Sequence, residues 1–128
     1  MRYLLVFLSF LVLACGEDDF RLDCPAGGIG LGEQLILPDD SRLELVRVND
    51  NRCPCDVQCI WAGYLQATLT DGDTTLRVAD VTISDSLGIV DVVQYRGFTI
   101  SIDTVQLKTG DCRTYYTQDE YCIAFTFE

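Results

Sequence analysis

Apolar residues in this chain recur at every second position, and that period commits most of it to strands. Leu65, Ala67 and Leu69 alternate with Gln66, Thr68 and Thr70. Asp71-Gly72 follows, a turn pair whose left-handed backbone only Gly, Asn and Asp adopt cheaply. Leu76 and Val78 continue the pattern on a return strand, and the parity then flips to Val81 and Ile83, which predicts a bulge near Ala79 and Asp80. Phe98, Ile100 and Ile102 alternate until a second break passes the apolar face to Val105 and Leu107. Tyr121, Ile123, Phe125 and Phe127 share one face of a last strand, and earlier strands are expected over 34–37 and 43–48 around the turn Pro38-Asp39-Asp40-Ser41. No segment past residue 24 sustains a helical period. About seven short strands with regular turn signals predict an all-β domain, a small antiparallel sandwich or barrel.

The first 14 residues stand apart: Arg2 gives a positive start, 3–13 are almost wholly apolar, and Ala14 is small. Such a stretch is too short for a comfortable bilayer span and reads as a cleaved signal peptide. Without it, eight Lys or Arg remain against 20 acids, a balance of −12. A surface that negative is repelled by phosphate backbones, so nucleic acid is excluded as a partner. With no histidine anywhere, the commonest general base and the commonest zinc ligand are both missing. Lys108 is the only lysine and serines are few, so nucleophilic catalysis lacks its parts. A paired-carboxylate hydrolase needs a sugar-sized cleft that a domain of about 100 residues rarely affords besides its own core. The chain is therefore expected to be no enzyme and to hold no cofactor or metal. The turn acids Asp39-Asp40, Asp71-Gly72-Asp73 and Asp85 do not follow the regular calcium-loop spacing. The run Gly27-Gly28-Ile29-Gly30-Leu31-Gly32 lacks the flanking strand, helix and lysine of a phosphate loop, and reads as a flexible entry segment.

Leu11-Val12-Leu13-Ala14-Cys15 resembles the lipobox of bacterial lipoproteins, although Leu13 departs from the small residue usual there. The resemblance implies cleavage before Cys15 and acylation of its sulfur and new amino terminus, an anchor firm enough to hold the chain on a membrane. It leaves an acidic tether, 15–23, ahead of a β-domain over 24–128. Gly16-Glu17-Asp18-Asp19 is similar to the signal that places some lipoproteins on the outer face of the outer membrane. A bacterial outer-membrane, surface-exposed location is expected, with a periplasm-facing or secreted chain as the alternative.

Lipidation of one of seven cysteines leaves an even six: Cys24, Cys53, Cys55, Cys59, Cys112 and Cys122. Export favours disulfides over a thiolate zinc site at Cys53, Cys55 and Cys59. Six thiols pair in 15 ways, among which spacing does not choose. The stretch Asp50-Asn51-Arg52-Cys53-Pro54-Cys55-Asp56-Val57-Gln58-Cys59-Ile60-Trp61-Ala62-Gly63 resembles a motif of small exported bacterial domains, Asp-Ser-Arg-Cys-Pro followed by Cys-Val-Trp-Ala-Gly. That family carries no established activity. With the preceding Gly32-Glu33 and the strand from Tyr64, the likeness covers most of 31–107, with Asn51 in place of the usual Ser. It implies a Cys53 to Cys59 disulfide, the shared pair. Cys112 with Cys122 is then expected from hairpin-like spacing, and Cys24 with Cys55 by elimination.

The motif reads as a stapled corner, with Pro54 fixing one backbone angle, Arg52 pairing locally with Asp50 or Asp56, and Gly63 allowing close backbone approach. Trp61 is expected over the core. The remaining functional candidate is the late loop, Arg113-Thr114-Tyr115-Tyr116-Thr117, flanked by Cys112 and Cys122. Adjacent tyrosines in a stapled loop offer contact area at little entropic cost, so Tyr115, Tyr116 and Arg113 are the expected binding residues for a protein or glycan ligand. The plainer alternatives are a structural envelope component and a long hairpin tied at its base; a protease-inhibitor-like loop is a third.

Overall fold

The protein, a computed structural model, is described over residues 24–25, 27–109 and 115–128. The expected signal peptide 1–14, the whole tether 15–23 with Cys15, Cys112 and Arg113 lie outside the described residues. Eight strands form two antiparallel sheets among these residues. They are β1 (Gly28–Ile29), β2 (Gln34–Ile36), β3 (Arg42–Asp50), β4 (Leu65–Thr70), β5 (Thr75–Ala79), β6 (Val92–Tyr95), β7 (Phe98–Leu107) and β8 (Tyr121–Phe127). One sheet is ordered β1-β8-β7-β6 and the other β2-β3-β4-β5. The pair is a sandwich and not a closed barrel: each sheet is a meander, and β1 is added to the first by pairing with β8.

Alternation places the core as expected. Leu43, Leu45, Leu65, Leu69 and Val78 of one sheet are buried in one cluster with Ile100, Tyr121, Ile123 and Phe125 of the other. Two bulges adjust the register. The one between Ile102 and Thr104 produces the parity break that passes the apolar face to Val105 and Leu107. A second, between Leu45 and Arg47, turns Val46 outward.

Two local expectations are corrected. The flip after Asp80 is not a bulge in a continuing strand: β5 ends at Ala79, and Val81 and Ile83 are exposed in the segment leading to a short 3-10 turn, Asp85–Leu87. The glycine-rich entry is not simply flexible, because Gly28 and Ile29 pair with Ala124 and Ile123. With that short β1 the strands number eight, in keeping with the expected count of about seven.

The sandwich is bridged at both ends by a tyrosine on one sheet and an aspartate on the other. At the end where β4 turns into β5, Asp71 accepts hydrogen bonds from the backbone N–H groups of Asp73 and Thr74 (3.0 and 2.7 Å) and from the Tyr95 hydroxyl (2.6 Å). The Tyr95 bond and the turn bonds hold the Asp71 carboxyl down at about 2. Tyr95 is pushed up by the same bond and by burial. Arg96 lies 5.4 Å over the Tyr95 ring. Arg96 and Gly97, both at positive φ, close the two-residue hairpin between β6 and β7.

Candidate functional site

The opposite end is built by the corner 51–64, which joins β3 to β4. Asn51 N–H donates to the Tyr64 carbonyl (2.9 Å) and Cys53 N–H to the Ala62 carbonyl (3.1 Å), so the chain leaves and re-enters the sheet side by side. Cys53 and Cys59 are joined by a disulfide with a Cα separation of 5.7 Å, which closes the outer part of the corner. A Cβ on Gly63 would stand 1.9 Å from the Asn51 carbonyl oxygen, and its φ of +69° already favours glycine. The close approach allowed by this glycine is therefore made by the backbone of 51–52.

Asp50 organises the base of the corner. Its carboxylate accepts from the Arg52 backbone N–H (3.0 Å), from Arg52 Nε (2.9 Å) and Nη2 (2.8 Å), and from the Tyr121 hydroxyl of the facing sheet (2.8 Å). Burial alone would raise the Asp50 carboxyl, but the bonds from Arg52 and Tyr121 outweigh it and hold the group below its ordinary value. Arg52 is held more firmly protonated by Asp50. Tyr121 is driven well above the usual phenol range, first by burial and then by the bond to Asp50. Near neutral pH this trio keeps fixed charges and a fixed proton, which suits holding a shape better than moving a proton.

Beside this trio the segment 115–120 folds back over the end of the sandwich. Thr117 N–H donates to the Glu120 carboxylate (2.7 Å) at a 3-10 turn, Gln118–Glu120, and Gln118 Oε1 accepts from the Val48 N–H of β3 (2.9 Å). Tyr116 packs edge-on against Tyr121, with ring centroids 6.1 Å apart. Tyr115 projects outward, 86% exposed. Between this segment and the corner lies a groove of about 350 Å³, lined by Asp50, Arg52, Pro54, Cys55, Tyr115 and Tyr116 among others. The two regions singled out in the sequence, the motif and the tyrosine loop, thus form facing walls of one concavity. Of the expected pair, Tyr115 is presented to solvent, whereas Tyr116 also covers the core.

Two cysteine pairings are corrected. Cys24 is bonded to Cys122 with a Cα separation of 5.4 Å, which excludes both Cys112 with Cys122 and Cys24 with Cys55. The cause is β1: by pairing with β8 it carries the chain entry beside Cys122, so a partner 98 residues away is nearer than hairpin spacing suggests. Cys55 is also disulfide-bonded.

Trp61 does not lie over the core. It is 78% exposed, next to a fully exposed Ile60. The ring is turned outward from the corner, two residues before the close backbone packing of Gly63 against Asn51. It lines a shallow cavity of about 530 Å³ with Asn51, Gly63, Tyr64 and Ile83. Ile83 could have been found from the parity flip after Asp80, and Asp50 from the motif, but nothing local tied Asp50 to Tyr121. A scan against protein-family models matches none, and searches of curated proteins and of solved structures find no similar protein.

Proposed function

We propose that this protein is a lipid-anchored, non-catalytic module of the bacterial cell envelope, held at the outer membrane through Cys15, which takes a protein or glycan ligand in the groove between the stapled corner and Tyr115. The observation that supports this most is the groove itself: an exposed tyrosine faces a wall stiffened by the Cys53–Cys59 disulfide and by the bonds at Asp50. A preformed wall lowers the ordering cost of binding, and a tyrosine supplies contact area with few rotatable bonds. Arg52, held charged by Asp50, offers an orienting group in the groove lining. The short apolar N-terminus ending in Ala14-Cys15 supports the anchor.

The test is cross-linking on intact cells, comparing the wild-type chain with Tyr115→Ala. Loss of the cross-linked partner by about tenfold, equivalent to about 1.4 kcal/mol, is expected for a central interface aromatic. Undiminished capture removes the groove from consideration. Intact mass of membrane-extracted protein tests the anchor separately: an acyl adduct at Cys15 is expected, and a soluble unmodified chain rejects it.

A further inference from the structure

The corner has a second face that the groove does not use. Ile60, Trp61 and Ile83 are exposed, and the cavity that Trp61, Tyr64 and Ile83 line, next to Ile60 in the chain, has no charged residue in its lining. In a chain with 20 acidic residues, an uncharged apolar patch marks a surface meant to be covered.

Where the chain enters the domain points to what covers it. Cys24 is bonded to Cys122, Cys122 adjoins Tyr121, and the Tyr121 hydroxyl holds Asp50 at the start of the corner. Residue 24 therefore enters at the same end of the sandwich as Trp61. The nine tether residues 15–23 span at most about 30 Å even when fully extended. We infer that Trp61, Ile60 and Ile83 dock into the interfacial layer of the bilayer that carries the Cys15 lipid, an inference that rests on the lipid-anchored reading above.

A bilayer fits better than a second copy of this chain. A stable protein interface takes about 20–30 residues a side, and this patch offers about six. A few apolar side chains suffice for a surface to which the chain is already tethered, because the tether makes the second contact intramolecular. Trp and Tyr are the residues that favour the headgroup boundary, where one part of the ring is dry and the other wet. The contact is apolar and not electrostatic, since a charge of −12 repels anionic headgroups. The patch and the groove share no lining residue, so docking leaves the walls of the groove untouched.

Trp61 is the only tryptophan, so it reports on its own position. The lipidated chain extracted from membranes is reconstituted into phosphatidylcholine vesicles. Flotation then reports the anchor, while quenching of Trp61 by headgroup-level doxyl lipid or by aqueous acrylamide reports the docking. The expected result is flotation with strong quenching by the lipid label, weak quenching by acrylamide, and a severalfold rise in acrylamide quenching in the Ile60→Ser, Ile83→Ser variant, which still floats. Replacing part of the lipid by phosphatidylglycerol should loosen the docking. A chain that floats while Trp61 stays open to acrylamide overturns the docking and leaves the anchor intact. One that does not float overturns both. Doubled mass in sedimentation with Trp61 shielded but unquenched by lipid assigns the patch to a second copy and overturns the inference.

Discussion

The two ends of the sandwich use the same device and secure it differently. Each has a tyrosine on one sheet donating to an aspartate on the other, with an arginine alongside: Tyr121, Asp50 and Arg52 at one end, Tyr95, Asp71 and Arg96 at the other. At the Asp71 end the carboxylate is held by the N–H groups of its own turn, and the arginine sits over the tyrosine ring. At the Asp50 end the arginine is bonded directly to the carboxylate, and two disulfides lie within a few residues. In the first arrangement the carboxylate is already held by bonds within its own turn, and Tyr95 adds the contact from the facing sheet. The second holds a long corner that has little core of its own, so covalent links and a half-buried ion pair replace packing. The groove and the apolar patch both lie at that end.

If this contrast is right, losing the Cys24–Cys122 link should have the largest effect. It closes a loop with a separation of 98 residues, and its replacement by serines should cost up to about 4.7 kcal/mol in the chain-entropy treatment, read as a lowered denaturation midpoint. Among the described residues no disulfide lies at the Asp71 end. Non-reducing peptide mapping of the same preparation identifies the partner of Cys55, expected to be Cys112 if Cys15 is acylated.

A pair of glycines sharpens the comparison next. Gly63→Ala should cost about 3 kcal/mol or more, because positive φ adds to a clash with the backbone of Asn51 that cannot relax without opening the corner. Gly72→Ala, at φ +99° in the Asp71 turn but facing open space, should cost only about 1 kcal/mol. Equal losses would mean that the corner is less tightly packed than its geometry implies.

The bridging hydroxyls come third. Tyr121→Phe should lose about 2 kcal/mol, as a hydrogen bond to a half-buried charged group does, whereas Tyr95→Phe should lower the melting temperature less because Asp71 keeps its turn donors. The smallest effect is on acid stability. Asp71 is lowered in the folded state from 3.8 to about 2, so its contribution is complete above about pH 4 and is lost as pH falls through about 2. Asp71→Asn should therefore flatten that part of the stability profile and leave it unchanged in shape near neutrality. Asp50→Asn acts in the same direction, because Asp50 too is lowered on folding.

Strand positions, the turn at Asp71-Gly72, the parity break in β7 and the special packing of Gly63 were readable in the chain because each is set by residues within a few positions of one another. Period-2 alternation needs only the pleat, and a turn needs only its own φ angles. The corner motif marked where the candidate site lies for the same reason. Cys24 reaching Cys122, Asp50 reaching Tyr121 and the motif meeting Tyr115 across a groove depended on β1 closing onto β8 and on two sheets stacking face to face. Trp61 shows the same division: its apolar character was evident, but whether it lay inside or outside was decided by the path the corner takes, which leaves the ring exposed. Contacts between residues 71 or 98 apart are decided by how whole sheets assemble, since no local backbone preference extends that far.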